Sequence, residues 1–360
     1  MFGLFEGKNR CLGIDVGTTG IKIAELKKEN NLPTLINYAI SHDSGSLLQS
    51  NGLEMLDSQV VDIIKNMLKT GGFGTKRAVI AIPGFLSLIT FMEIPEMPDG
   101  EIAQAIKFEA AKYIPTTLED VSLGWEIIGG YQDKQVEGGK ATGQGRKLQV
   151  MVVTVPKNAV ASYSGIIKKV GLSSVAMEVE NFAVIRALIG NDKGTFLITN
   201  IGAKVTEFVV VSDGVARLTR SIDVGGTEIS RSLASGLGID LQRADKLKKS
   251  SRINLLGAND EMSRLISPVL GMIIEEIKRI QEIYHKKSPL KKIDKIIFTG
   301  GTSKTHTLVE YFNEKTGIES QLGNPLSRIA IEKKYEEVMT EVAPELTTSI
   351  GLALRGLDEK

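Results

Sequence analysis

Leu12-Gly13-Ile14-Asp15-Val16-Gly17-Thr18-Thr19-Gly20-Ile21-Lys22 reads as a buried strand that runs into a tight turn and returns as a second strand. The glycines let a ligand approach the backbone, the turn amides point outward, and the hydroxyls of Thr18 and Thr19 add donors suited to an anion. On such a hairpin Asp15 would face a metal and Lys22 a phosphate. The same pattern alone also fits an ordinary Gly-Thr turn of a sheet, so the weight falls on whether the chain repeats it.

From Thr195 the texture of the start returns. Phe196 to Ile201 reads as a strand, Gly202 breaks it, Val205 to Val211 is another, and Ser212-Asp213-Gly214 turns into Val215 to Ile222. Aligning Asp15-Val16-Gly17 on Asn200-Ile201-Gly202 gives an offset of 185 residues, the mark of a diverged internal duplication. The second turn, Asn200-Ile201-Gly202-Ala203-Lys204-Val205-Thr206, is a further glycine turn. A third stretch, Phe298-Thr299-Gly300-Gly301-Thr302-Ser303, ends a strand in bare backbone on which a flat base or a ribose-phosphate could rest. In this order the three segments predict two related lobes with a nucleotide in the cleft, its phosphates between two hairpins and its purine on the second lobe.

Around these segments the chain alternates strands and helices. A strand is expected over Thr34 to Ile40, and a helix carries Val60, Val61, Ile64, Met67 and Leu68 until Gly71-Gly72 stops it. Ala78 to Ile82 is a strand that runs into Pro83. Between Pro83 and Pro156 an amphipathic helix with Ile102, Ala105, Ile106, Glu109 and Tyr113 lies between strand-like stretches, as an inserted α+β subdomain would. The stretch from Glu137 to Arg146, with four glycines in ten residues, reads as a floppy hairpin loop between Trp125 to Tyr131 and Leu148 to Val155. Later come helices from Gly226 to Ser235 and from Leu241 to Lys249, then a long amphipathic helix. Its stripe of Val269, Leu270, Ile273, Ile274, Ile277, Ile280 and Tyr284 is set to start with Ser267 as N-cap and Pro268 in the first turn.

Composition narrows the function classes. The chain has 360 residues with 44 Lys and Arg against 43 Asp and Glu, a net charge of +1, which argues against a nucleic-acid binder working by bulk charge. One cysteine, Cys11, excludes an intramolecular disulfide and a cysteine-rich zinc site. His42, His285 and His306 show no ligand spacing. With no apolar run near the roughly 20 residues that span a bilayer, the expectation is a cytoplasmic protein. Its apolar opening, Met1 to Phe5, would either dock on a partner or tuck against the first strand.

At this point the chain resembles the actin and hexokinase superfamily, and more closely the families of the cell-division protein FtsA and the type IV pilus assembly protein PilM. Asp15 to Lys22 is similar to the first phosphate motif, Asn200 to Thr206 to the second, and Gly300 to Ser303 to the adenosine motif. Glu178 to Leu188 and Ser349 to Arg355 look like the two connecting helices. Asp223 to Ile229, with Gly225 and Gly226, resembles the glycine-opened helix start of the family, and Ala244 to Lys248 resembles a segment that implies Asp245 and Lys248 near the ribose or purine. The resemblance implies an α/β fold of the actin-like ATPase kind, duplicated ribonuclease-H-like lobes with a small α+β subdomain inserted in the first. Residues 1–82 and 156–190 form that first lobe with 341–360 returning to it, 83–155 are the insertion, and 191–340 the second lobe.

The segments Phe91 to Pro95 and Glu101 to Pro115, and the opening Phe2 to Phe5, resemble the PilM family most. What that implies is a cytoplasmic adaptor of the pilus inner-membrane complex that binds ATP and Mg²⁺, the latter through water on Asp15, and holds the cytoplasmic N-terminal tail of PilN. The site residues implied are Asp15, Gly17, Thr18, Thr19, Lys22, Asn200, Gly202, Ala203, Lys204, Gly225, Gly226, Asp245, Lys248, Gly300, Gly301 and Thr302. One departure is that Asn200 stands where relatives carry Asp, with Lys204 in the turn. Asn orients a water but cannot activate it by charge or balance Mg²⁺, so phosphate binding should survive and hydrolysis should weaken. Ile253-Asn254-Leu255-Leu256-Gly257 is similar to the start of PilN tails, which would let self-association compete with tail binding, or is simply an apolar turn before a helix near Asp260. A filament-forming scaffold like FtsA and a small-molecule kinase are the other classes. The first usually adds a C-terminal amphipathic membrane helix, so attachment to the membrane here is expected through the partner; the second needs a general-base carboxylate beside the second hairpin.

Overall fold

A computed structural model describes residues 9–41, 57–137, 140–250, 253–257, 260–288 and 291–359, with backbone only over 131–145. His42, the Met1 to Phe5 opening, Gly138 and Gly139 lie outside the described residues. The chain divides into two compact units, one of residues up to Phe85 and from Ser162 on, the other Leu86–Ala161.

The larger unit opens with β1 (Arg10–Val16), β2 (Ile21–Glu29), β3 (Leu32–Ser41), α1 (Asp57–Gly71) and β4 (Arg77–Ile82). The smaller unit contains β5 (Leu88–Pro95), α2 (Asp99–Ala110), β6 (Val121–Glu137) and β7 (Lys140–Pro156). Its antiparallel sheet, ordered β5-β7-β6, packs Met92, Ile94, Leu148, Val150 and Val152 with Ile102, Ile106 and Ala110 of α2. The expected floppy loop is corrected here. β6 and β7 stay paired through the glycine-rich stretch, with Gln135 opposite Thr142 and Glu137 opposite Lys140, because backbone ladder bonds need no side chain and Gly is accommodated in a hairpin.

After α3 (Lys157–Val170), which carries the chain from one unit to the other, come β8 (Ser173–Val179), α4 (Glu180–Leu188), β9 (Thr195–Ile201), β10 (Thr206–Ser212) and β11 (Val215–Ile222). Then follow α5 (Gly226–Leu237), α6 (Leu241–Ser250), α7 (Glu261–Lys287), β12 (Lys295–Thr299), α8 (Leu308–Thr316), β13 (Glu319–Leu322), β14 (Ala330–Ile331), α9 (Glu336–Val342) and α10 (Thr347–Asp358). The sheets are ordered β14-β3-β2-β1-β4-β8 and β11-β10-β9-β12-β13. Leaving out β14, the two orders coincide: an antiparallel meander flanked by two parallel strands. Even the bulge repeats, at Glu25/Leu26 in one copy and Val210/Val211 in the other, the same 185 residues apart. Such agreement in order, direction and irregularity is what a duplicated half-chain leaves behind.

The long helix begins earlier than its apolar stripe suggested. α7 starts at Glu261 with Asp260 as N-cap, its side chain accepting from the Ser263 amide, and Pro268 sits inside the helix rather than at its first turn. Proline forfeits one helical bond, but Ser263 and Ile266 on the preceding turns are buried, and that packing outweighs the lost bond. The cap amide, together with the Asn254 amide, also holds the Asp260 carboxyl below its ordinary range. Asp260→Ala is therefore expected to cost about 1 kcal/mol in urea denaturation at neutral pH. Since the folded carboxyl is depressed, the cap's contribution should disappear as pH falls through that folded value, so the variant and the parent should converge in acid.

Ile253 and Leu255 are buried in the core formed by β9, β10, β12 and α5 to α8, and the Leu255 amide donates to Thr307 Oγ1 at 2.9 Å. This corrects the tail-mimic reading of Ile253 to Gly257: two of its three apolar side chains, Ile253 and Leu255, already fill this chain's own interior, and only Leu256 is exposed. No helix among the described residues is long and apolar enough to cross a membrane.

Candidate functional site

Both hairpins close in the same way. Gly17 N donates to Gly20 O and Gly202 N to Val205 O, each at 3.0 Å, leaving Thr18-Thr19 and Ala203-Lys204 as the central turn residues. The amides of Thr18, Thr19 and Ala203 have no partner among the described residues, so each turn presents backbone donors.

Across the first ladder Asp15 faces Lys22, carboxylate to ammonium 3.5 Å. The equivalent pair in the second copy is Asn200 with Glu207. Relative to the first hairpin, the carboxylate has changed strands: the amide stands on β9 and the acid on β10. Glu207 is only 5 % exposed. It accepts from Asn181 Nδ2 of α4 at 3.3 Å and lies against Gly84, just past β4, the parallel neighbour of β1, so the end of the first copy's sheet that carries its hairpin meets the second hairpin's strand.

The second turn is braced from below by α5. Gly226 N donates to Gly202 O at 2.9 Å and Thr227 N to Ala203 O at 2.7 Å. A Cβ on Gly225 would lie 2.7 Å from Gly202 O, so glycine is required for this approach. The Gly226 and Thr227 amides are consumed by the hairpin; Gly225 and Gly226 act by holding the turn in place. Thr302 Oγ1 donates to Gly202 O at 3.2 Å. Gly300, at φ +88, lies against Asn200 and Ile201, where a Cβ would meet Asn200 Oδ1 at 2.6 Å. Gly301 is exposed at the end of β12.

Asp245 and Lys248 of α6 join the same group. Lys248 Nζ donates to Gly226 O, Ser230 Oγ and Asp245 Oδ1, all at 2.8 Å. Burial alone would raise the Asp245 carboxyl, but hydrogen bonds from Lys248 and Lys249 outweigh it and hold the group at about 2. Of the residues expected from sequence, Gly202, Ala203, Gly225, Gly226, Asp245, Lys248 and Thr302 thus form one bonded cluster, with Asn200 and Gly300 adjoining it. Asp15, Gly17 and Lys22 form the second group, flanked by Thr18 and Thr19. Lys204 lies in its turn, half-buried.

Sequence reasoning missed Glu180 and Glu207. The signal for Glu207 was present in the duplication, which places it 185 residues after Lys22. Glu180 gave none, because its approach depends on where α4 starts in space. Among the described residues no group of three His, Cys, Asp or Glu side chains is arranged to hold a metal directly.

Two lobes with one strand order, each presenting a glycine hairpin beside the parallel strands, define the actin-like ATPase fold. Solved structures with this fold bear it out. The chain matches a PilM–PilN type IV pilus biogenesis complex with a TM-score of 0.81 at 24 % identity, over 96 % of this chain and 98 % of that one. The ethanolamine utilization protein EutJ of Carboxydothermus hydrogenoformans matches at 0.59 and 19 %, over 96 % and 89 %. MreB 5 of Spiroplasma citri bound to AMPPNP matches at 0.54 and 11 %, over 96 % and 95 %. The profile of the type IV pilus assembly protein PilM family matches residues 13–357, and the chain belongs to that family. Among curated proteins it is 26 % identical to the cell division protein FtsA of Neisseria meningitidis, over 72 % of this chain and 68 % of that protein. With FtsA of Pseudomonas aeruginosa it shares 24 % over 59 % of this chain, spanning little more than half of that relative.

Proposed function

We propose that the chain is a nucleotide-loaded adaptor: it binds ATP between the Gly17–Gly20 and Gly202–Val205 turns and, through the inserted segment 83–155, holds the cytoplasmic N-terminal tail of PilN. The observation that carries the reading is that the two copies meet at the hairpin ends of their strands: Glu207 of β10 lies against Gly84, which follows β4 beside β1, and accepts from Asn181 of α4 at 3.3 Å. Supporting it are the related fold of MreB 5, solved with AMPPNP, and the PilM–PilN complex of similar fold. In this reading the lobes are 1–82 with 156–190 and 341–360, and 191–340. The purine rests by Gly300, Gly301, Thr302, Asp245 and Lys248, and the protein reaches the inner membrane from the cytoplasm through its partner.

Asp15 offers only oxygen and is already shared with Lys22, which suits a Mg²⁺ ion that keeps its waters better than one bound by a protein cage. Mg²⁺ would neutralise phosphate charge, while Asp15 orients its water, Lys22 meets a phosphate and the turn amides donate to phosphate oxygens. Asn200 cannot remove a proton from a water, and the carboxyls beside the second hairpin, Glu207 and Glu180, are engaged by Asn181 and Gly84, so in this reading binding rather than turnover carries the signal.

Gly225→Val is expected to displace the second turn and weaken ATP binding at least tenfold by titration, with Lys22→Ala losing a comparable amount through the phosphate. Pull-down of a synthetic PilN tail with and without ATP and Mg²⁺ tests the other half. A tail that binds under neither condition removes the adaptor reading, and ATP turnover at around 1 s⁻¹ abolished by Asn200→Ala removes its binder-only part. The similarity to FtsA favours a second reading, a filament-forming scaffold. ATP-dependent sedimentation of the chain alone would select it.

A further inference from the structure

Glu207 is buried on β10, and its Oε1 has no hydrogen-bond partner. Asn181 Nδ2 donates to its other oxygen at 3.3 Å, while Gly84 N donates to Glu180 Oε1 at 2.8 Å. Gly84 makes the room: a Cβ there would fall 2.2 Å from Glu207 Oε1 and 2.6 Å from Asn181 Oδ1. The backbone after β4, the first turn of α4 and the middle of the second copy's meander therefore bring two carboxyl groups, the buried Glu207 and the half-buried Glu180, against the same residue, Gly84.

Two ionised carboxylates in contact inside a protein repel strongly, whereas one proton between them turns the repulsion into a hydrogen bond. We propose that Glu180 and Glu207 share one proton, and that this carboxyl–carboxyl bond ties the start of α4 to β10 beside the phosphate turns, making Glu207 the residue that positions Glu180. The charged surroundings agree. Burial, then the facing Glu180, push Glu207 well above the ordinary carboxylate range, opposed by the Phe85 amide. Burial also raises Glu180, with Asp15 of β1 adding to the rise and the Gly84 amide and Lys22 of β2 lowering it. The cross-strand neighbours of Glu207, Asn200 on β9 and Ser221 on β11, bring no charge to replace the proton.

The inference rests on the nucleotide reading only for its location, and its test needs no nucleotide. Isotope-edited infrared spectra of the full chain at about pH 7 should show a protonated-carboxyl band that vanishes in Glu207→Gln and in Glu180→Gln. A folded carboxyl titrating above its unfolded value stabilises fully below the unfolded value, and that stability is lost as pH rises through the folded one. The thermal midpoint of the parent should thus fall as pH rises from the ordinary carboxylate range through the folded value of the pair, and this fall should be reduced in Glu207→Gln. If Glu207→Gln does not fold, Glu180→Gln gives both readouts. A parent spectrum without the band, or variant profiles parallel to the parent's, overturns the proposal. A chain that shows band and slope but binds no ATP overturns the nucleotide reading alone; one that binds ATP without them overturns only the shared proton.

Discussion

Gly351→Ala should lower stability by about 3 kcal/mol, read as a shift of the urea midpoint with far-ultraviolet circular dichroism as the probe. Gly351 lies on α10 where the helix crosses α4, and a Cβ at that position would be 1.9 Å from Ala183 O and 2.5 Å from its carbonyl carbon. These are backbone atoms of a helix and cannot swing aside, so the two helices must separate. Along the same helix Ser349 O and Ala353 N press on Gly13 of β1, where an added Cβ would be 1.8 Å and 2.7 Å away. α10 is thus wedged between the sheet and α4 with no room for one methyl group. A variant midpoint equal to the parent's would mean that the crossing is looser than drawn.

Glu178→Ala is the second large effect, expected to cost about 3 kcal/mol. Glu178, at 6 % exposure, ends β8 and accepts from both ends of one guanidinium, Arg186 Nη1 at 2.6 Å and Nη2 at 3.0 Å, and from Arg355 Nη1 at 2.7 Å. Arg186 also donates to Gly351 O at 3.0 Å. One buried carboxylate therefore joins β8, α4 and α10. Removing it leaves two cations close together without their counter-charge, and each is about one third exposed, which keeps the loss below that of a fully buried pair. Glu178→Gln should lose less, because it keeps one acceptor. High salt should narrow the gap between variant and parent by screening the two arginines. A change smaller than about 0.5 kcal/mol would show that the triad contributes no more than a surface pair.

The strands of the two meanders and β4 and β12 were readable because each depends on local alternation and on glycine. β8, β13 and β14 were not, and the end of β8, Glu178 and Val179, was expected in the helix that starts only at Glu180. The hairpin at Gly17 to Gly20 and its copy at Gly202 to Val205 carry their turn chemistry within a few residues. Where elements start and stop was harder. Ser267-Pro268 has the local signature of a helix start, yet α7 runs through it because Ile266 and Ser263 are buried by the rest of the lobe. The stretch from Glu137 to Arg146 looked like loop, yet β6 and β7 stay paired at Glu137 with Lys140, Gln135 with Thr142 and Lys134 with Gly143. In both places a tertiary contact outweighed a local preference.

The order of three glycine turns, the 185-residue repeat and the departure at Asn200 stand in the sequence alone, since they are covalent facts about spacing. That Glu180 meets Glu207, that α10 crosses α4 at Gly351, and that Asp245 and Lys248 are bound to each other and to the brace beneath the second turn are settled only when the chain is folded. Each depends on residues far apart along the backbone being brought within a few ångströms, and no local pattern encodes a distance between elements.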